Sequence, residues 1–246
     1  MSAKDWCVYV GFDPREAAAF AVARQSVRFF NRTARVQGVV LSDLQNRGLY
    51  YRATERRLGK LWDVISDAPM STEFAISRFL VPEIERRQGW RHELGWAMFM
   101  DCDVLVRCNL TPLFHSLDDG KAVYCVKHNH VPAKTVKMDG ETQTTYNRKN
   151  WSSVMAFNLD HPSNKALSVE LVNTWPGRDL HAFKWLDDAE IGELPPEYNY
   201  LVGHTRLPSQ VEPKIIHWTD GGPWFEGLKN AEYAYLWETE LERWAM

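Results

Sequence analysis

Several protein classes are excluded by what the sequence lacks. Its four cysteines, Cys7, Cys102, Cys108 and Cys125, form no C-x-x-C pair and no zinc-type spacing. Free thiols in a reducing, cytoplasmic setting are therefore expected. No apolar run approaches the roughly 20 residues of a membrane-spanning helix. The N-terminus shows no long apolar region of the signal-peptide kind. The formal net charge of −3 provides no global attraction to nucleic acid or to a membrane surface. Neither internal repeats nor low-complexity segments are present.

What remains is the composition of a soluble globular chain, with 246 residues, 45% hydrophobic and 25% charged. Eleven tryptophans are many for this length. Indoles pack in cores, and they also stack on sugars and bases.

The most informative stretch is Trp96-Ala97-Met98-Phe99-Met100-Asp101-Cys102-Asp103. An unbroken apolar run predicts a strand buried on both faces. It ends in two acids. Side chains alternate along extended chain, so Asp101 and Asp103 share one side and Cys102 takes the other. Paired carboxylates at a strand end suit a hard divalent cation and its phosphate ligand. An isolated D-x-D also reads as a plain polar strand end, and the rest of the chain has to decide.

Upstream, residues 6–11 predict a first strand. Asp13-Pro14-Arg15-Glu16 then forms a helix start with an N-cap, a proline at the first position and a capping-box acid. Phe20, Ala23, Val27 and Phe30 follow at helical spacing as a buried stripe. Residues 35–41 predict a second strand. This strand–helix–strand order implies a parallel sheet, with ligands at the carboxyl ends of its strands. Asp13 stands at such an end, as a cap, a ligand contact or both.

Residues 44–69 read as polar, with Arg52, Arg56, Arg57 and Lys60 on a helical, solvated face. Ser71-Thr72 caps a helix carrying Phe74, Ile76, Arg78, Phe79, Leu80 and Val81, which Pro82 kinks or restarts. Arg78 has apolar neighbours and is expected near Asp101 and Asp103. Residues 122–126 predict a strand. Residues 127–150 form an aperiodic loop with five Lys/Arg (Lys127, Lys134, Lys137, Arg148, Lys149) against Asp139 and Glu141. With His128 and His130 it is either a solvated loop or a contact for an anionic acceptor. Residues 153–159 predict a buried strand and residues 163–175 a helix. Asp187, Asp188 and Glu190 form either a helix face or part of a reaction centre. Residues 214–218 predict a strand holding His217, followed by Gly221-Gly222, where backbone can approach a ligand closely. Trp237, Leu241 and Trp244 are spaced for a terminal amphipathic helix that packs on the domain, membrane contact being the minor reading.

Taken together, Gly11-Phe12-Asp13, Ser77-Arg78-Phe79, Met100-Asp101-Cys102-Asp103, residues 152–159, Asp187-Asp188 and Ile215-Ile216-His217-Trp218-Thr219 form an ordered set. The set resembles the GT-A-fold retaining glycosyltransferases of the glycogenin and bacterial lipopolysaccharide galactosyl- and glucosyltransferase group. The resemblance implies a Rossmann-like α/β fold with a mixed, mostly parallel central sheet flanked by helices. It implies one domain over residues 1–246: a nucleotide-binding half (1–110), an acceptor and donor-sugar half (111–225) and a C-terminal helix (226–246).

It further implies that Asp101, Asp103 and His217 coordinate Mn²⁺ (or Mg²⁺) and, through it, the diphosphate of a UDP-sugar. Phe12 and Asp13, beside Gly11, would border the base and ribose. Arg78, Asp187 and Asp188 would border the donor sugar, with the acid pair stabilising an oxocarbenium ion or attacking it. Gly221 and Gly222 would offer amides to the diphosphate. Two departures stand out. Related sequences often carry a lysine where Gly221-Gly222 stands, and the acceptor-side Asn-Ser-Gly pattern is Trp151-Ser152-Ser153 here.

The expected reaction is hexose transfer to a hydroxyl acceptor with retention. The acceptor is a glycan, a protein, a small molecule or, on the strength of the basic loop, a hydroxylated base in DNA. A nucleotidyltransferase and a non-catalytic nucleotide- or sugar-binding module are the alternatives. Against the first, Gly11-Phe12-Asp13-Pro14-Arg15 matches a triphosphate loop poorly. Retention of both acids and His217 speaks against the second.

Overall fold

A computed structural model describes residues 5–88, 94–128, 148 and 150–245. Most of the basic loop, including His130, Lys134, Lys137 and Lys149, lies outside the described residues.

The chain opens with β1 (Asp5–Gly11), whose last five residues are buried. Asp13 accepts a hydrogen bond from the Arg15 amide and starts a 3-10 turn, Pro14–Glu16, that runs into α1 (Ala17–Phe30). The buried face of α1 is Ala19, Val22, Ala23, Ser26 and Val27. This differs from the expected stripe. Phe20 is only partly buried, and Phe29 and Phe30 face solvent. Ala23 and Val27 of that stripe are buried as expected, and Ala19, Val22 and Ser26 complete the inward face in place of the two rings. Next comes β2 (Arg35–Val39), parallel to β1, and α2 (Leu41–Asn46).

The helix expected across residues 44–69 is absent beyond α2. In its place β3 (Thr54–Arg57), β4 (Lys60–Asp63) and β5 (Ala68–Pro69) form an antiparallel sheet of three strands. The turn explains the difference. Leu58 and Gly59 link β3 to β4 with φ of 51° and 81°. Two consecutive residues at positive φ make the tight turn that matches strand twist, and glycine adopts it without strain. Nor is Arg52 solvated. It is buried and forks onto Asp63, Nε–Oδ1 2.7 Å and Nη2–Oδ2 2.7 Å.

A 3-10 turn, Ser77–Leu80, leads into α3 (Val81–Arg87), with Pro82 in the first turn of the restarted helix. Then comes β6 (Leu94–Met100), parallel to β1. After the acids the chain enters β7 (Val104–Val106), followed by α4 (Thr111–Ser116) and β8 (Val123–Cys125). The later elements are β9 (Val154–Asn158), α5 (Val169–Thr174), α6 (Gly177–His181), β10 (Ile191–Glu193), β11 (Tyr200–Leu201), β12 (Ile215–His217) and α7 (Ala234–Ala245). The helix expected over residues 163–175 is split. A 3-10 turn, Pro162–Ala166, precedes α5, and the Ser168 hydroxyl caps α5 by accepting from Leu171 N–H at 3.1 Å.

The central sheet has the order β10-β8-β9-β6-β1-β2. β9 runs antiparallel to both of its neighbours, and the other pairs are parallel. This is the expected mixed, mostly parallel sheet. A smaller sheet, β11-β12-β7, stands beside it, with β12 antiparallel to β7. α1 bridges the two: Ser26 Oγ accepts the Val106 N–H of β7 at 3.0 Å. Asn31, at the end of the helix, accepts Leu110 N–H at 2.7 Å. Trp237 of α7 packs with Val22, Leu105, Ile216 and Trp218 behind the smaller sheet, while Trp244 remains 55% exposed.

Arg52 and Asp63 constitute a buried pair, so removing one partner strands the other charge. Asp63→Ala is expected to cost about 3–5 kcal/mol, read from urea unfolding. Burial alone would raise the Asp63 carboxyl. The hydrogen bonds from Arg52 and Ser66, with the Arg52 charge, outweigh burial and hold it below its ordinary value. A depressed folded-state value means this stabilisation is full above about pH 4 and is lost as pH falls through the folded value. An unchanged acid-unfolding midpoint in Asp63→Asn would contradict it.

Candidate active site

The acidic pair sits where the chain leaves one sheet for the other. β6 ends at Met100, residues 101–103 bend, and β7 begins at Val104. Asp101 N–H donates to Ser153 C=O at 2.9 Å, and Asp103 C=O accepts Trp218 N–H at 3.0 Å. The predicted alternation survives the bend: Cys102 is buried, while the two acids reach the surface in part.

Strand β12 supplies the third group. Its antiparallel register sets His217 opposite Val104, one residue from Asp103. His217 is fully buried, and its Nε2 lies 3.3 Å from Asp103 Oδ1. One atom from each of Asp101, Asp103 and His217 lies within 4.8 Å of the others. The imidazole Nε2 is buried and makes no hydrogen bond. Burial pushes the Cys102 thiol well above its usual range, and the nearby carboxylates of Glu16, Asp103, Asp101 and Asp13 push it further. The Cys102 side chain is buried, and the group that could hold an ion consists of Asp101, Asp103 and His217. The acids around it concentrate negative charge at a partly open position. Two carboxylates and an imidazole fit Mn²⁺ or Mg²⁺, and the unbonded Nε2 is the atom such an ion would satisfy.

Arg78 lies where the sequence placed it. It is buried, with Nη1 2.7 Å from Asp101 Oδ1, and it donates to Ser152 C=O at 2.8 Å. Its guanidinium stands over Phe74 and Phe99 at 5.2 and 4.9 Å from the ring centres. Those rings and that carbonyl hold the cation in one orientation beside the first acid.

The other expected residues divide. A side chain at Gly11 would place its Cβ 2.5 Å from the Phe74 ring, so this glycine serves close packing. Phe12 stacks edge-on with Phe20 at 4.9 Å. Asp13 is buried and accepts from Arg15 N at 2.9 Å, Arg15 Nε at 3.0 Å and Glu73 N at 3.0 Å. Burial would raise its carboxyl, but those bonds and the Arg15 charge hold it below the ordinary value. Gly221 N–H donates to Trp218 C=O at 2.9 Å and so closes a turn. Asp187 and Asp188 are both exposed. Asp188 pairs with Arg148, and Asp187 N–H donates to Glu190 Oε2 at 2.8 Å. Neither contact reaches the Asp–Asp–His group.

Three sets of contacts at the site were not anticipated. Glu16, read only as a capping acid, shares the field around Cys102. The Ser152–Ser153 backbone receives Arg78 and Asp101. Asn199 meets His217 Nδ1 through Oδ1 at 2.9 Å. Asn199 lies in a short irregular segment with no periodicity to reveal it, and the contact spans 18 residues.

No family model matches the chain. Protein CDI of Arabidopsis thaliana is 43% identical over 245 residues, an alignment covering 98% of this chain and 88% of that protein. The chain belongs to the family of Protein CDI. Solved structures show the architecture of this CDI-family chain. The bifunctional glycosyltransferase WbbM superposes with a TM-score of 0.60 at 16% identity over 97% of this chain. GlyE of Streptococcus pneumoniae gives 0.58 at 14% over 96%. The galactosyltransferase LgtC, solved with donor and acceptor sugar analogues, gives 0.55 at 16% over 96%. The match spans 50% of the WbbM chain, 61% of the GlyE chain and 95% of the LgtC chain. At these identities the likeness shows the fold, which is GT-A.

Mn²⁺ is expected to raise the melting temperature of the wild-type protein by binding the folded state alone. At one hundred times Kd the gain is about 2.7 kcal/mol. Asp103→Asn and His217→Ala should each abolish the rise in thermal unfolding followed across Mn²⁺ concentrations.

Proposed function

We propose that the protein is a metal-dependent glycosyltransferase. It moves a hexose from a nucleotide-sugar, UDP-linked on the family resemblance, to a hydroxyl acceptor with retention of configuration. The observation that carries this reading is the convergence of Asp101, Asp103 and His217 within 4.8 Å on a GT-A fold. LgtC, which shares the fold, was solved with donor and acceptor sugar analogues, and this supports a sugar-handling role.

Glycosyl transfer separates a nucleoside diphosphate from the sugar, so negative charge grows on the leaving oxygen. A bound divalent cation supplies Lewis-acid stabilisation of that charge. The chain's own residues do the rest. Asp101 and Asp103 offer hard oxygen ligands, and His217 offers the unbonded Nε2. Arg78 fixes the Asp101 carboxylate and adds positive charge beside the diphosphate. Phe12 and Asp13, at the carboxyl end of β1, border the base and ribose. Asp188 and Asp187 border the donor sugar, where a carboxylate stabilises positive charge at the anomeric carbon. Arg148 pairs with Asp188. Gly222 lies beside the diphosphate.

The test is a panel of nucleotide-sugars with Mn²⁺, read out as nucleoside diphosphate release with and without simple hydroxyl acceptors. One donor should be turned over, and Asp103→Asn should lower its rate by about 10²-fold or more while circular dichroism is unchanged. Full metal-dependent activity in that variant would sink the proposal.

A further inference from the structure

We infer that Asn199 is a positioning residue for this site: it fixes the His217 proton on Nδ1 and so presents the Nε2 lone pair to the two carboxylates. The inference deepens the metal-site reading above and rests on it for its functional meaning.

The donors and acceptors around Asn199 fix one another's orientation. Asn199 is fully buried at the end of the 3-10 turn Pro196–Asn199. Its Nδ2 lies 2.9 Å from Ser153 Oγ and 3.5 Å from Asn150 C=O. Ser153 Oγ lies 2.7 Å from the same Asn150 carbonyl. A carbonyl oxygen donates nothing, so the Ser153 hydroxyl must spend its proton there. Ser153 Oγ then accepts, and the amide nitrogen is what faces it. That orientation leaves Asn199 Oδ1 toward His217 Nδ1, at 2.9 Å. An amide oxygen is an acceptor only, so Nδ1 carries the hydrogen.

The consequence falls on the other ring nitrogen. With the proton on Nδ1, neutral His217 presents a lone pair on Nε2, 3.3 Å from Asp103 Oδ1. Two electron-rich atoms at that separation favour a cation shared between them. In the opposite tautomer Nε2–H would donate to Asp103 and occupy the same direction. Asn199 therefore decides whether His217 is a ligand or a hydrogen-bond donor. Metal-binding histidines are commonly held this way through their second nitrogen.

The same turn also fixes the first acid. Ser153 C=O accepts Asp101 N–H at 2.9 Å, and Ser152 C=O accepts Arg78 Nη1 at 2.8 Å. His217 and Asp101, 116 positions apart in sequence, are thus referred to one short segment. Asn150 enters that segment at φ 63°, a left-handed conformation that asparagine tolerates and β-branched residues do not.

The test compares wild type with Asn199→Leu, which removes the amide, and Asn199→Asp, which keeps an acceptor oxygen. The His217 tautomer is read in metal-free protein by long-range ¹H–¹⁵N NMR, and Mn²⁺ affinity by electron paramagnetic resonance. Wild type and Asn199→Asp should show the Nδ1–H form. Asn199→Leu should show mixed tautomers and bind Mn²⁺ about 10–100-fold more weakly, with unfolding still cooperative. Wild-type tautomer and affinity in Asn199→Leu overturn the inference. So does an Nε2–H signal in the wild type, which decides the matter even where the leucine variant fails to fold. Nδ1–H in a wild type that binds neither Mn²⁺ nor Mg²⁺ supports the proton placement and overturns the metal reading.

Discussion

The antiparallel pairing of β7 with β12 is the contact on which the site depends. Three residues on each strand suffice to bring His217 opposite Val104 and beside Asp103. A slip of one residue would turn every β12 side chain to the other face and point the imidazole away from the acids. The register is held from outside the pair as well as within it. Ser26 of α1 takes the Val106 amide, and Trp218, directly after the histidine, donates its amide to the Asp103 carbonyl. Behind the strands, Leu105, Ile216, Trp218 and Trp237 exclude water. Apolar packing fixes the pairing, and the pairing fixes the site.

Around this contact lies a polar frame whose members are nearly all buried. Arg78 joins Asp101 to the Ser152 carbonyl. Asn199 joins His217 to Ser153. Buried polar groups are costly unless paired, so a network of this kind admits few arrangements. Within this frame His217 Nε2 is buried and without a hydrogen bond. Native proteins seldom leave such an atom without a reason, and function is a common one.

The electrostatics run the same way. Asp13, Glu16, Asp101 and Asp103 all raise the Cys102 thiol, which means that four carboxylates share one neighbourhood. Asp13 is neutralised locally by Arg15, and Asp101 by Arg78. Asp103 faces an imidazole. Like charges gathered this closely repel each other, and a bound cation would relieve the repulsion while serving a phosphate.

Much of this was legible in the chain itself. The apolar run before Asp101 and Asp103, the cap at Asp13 and the late strand holding His217 follow from periodicity and turn chemistry, which are local properties. So did the proximity of Arg78 to the acids, because charge among apolar neighbours seldom faces water. The hairpin at Leu58-Gly59 was misread as helix, since a polar segment lacks the alternation that marks a strand, and its turn depends on backbone angles. On α1, Ala23 and Val27 face inward as their spacing implies, whereas Phe20 and Phe30 were misjudged, because small residues pack where rings cannot. The termini of local elements, the sheet they favour and the acids they carry are set by neighbouring residues in sequence. That Asn199 orients His217, that Ser152 and Ser153 receive Arg78 and Asp101, and that Glu16 joins the same field were decided by contacts across tens of residues. Only the folded register of β7 on β12 brings those groups together, because distance in space, unlike side-chain type or period, is not written in any local stretch of chain.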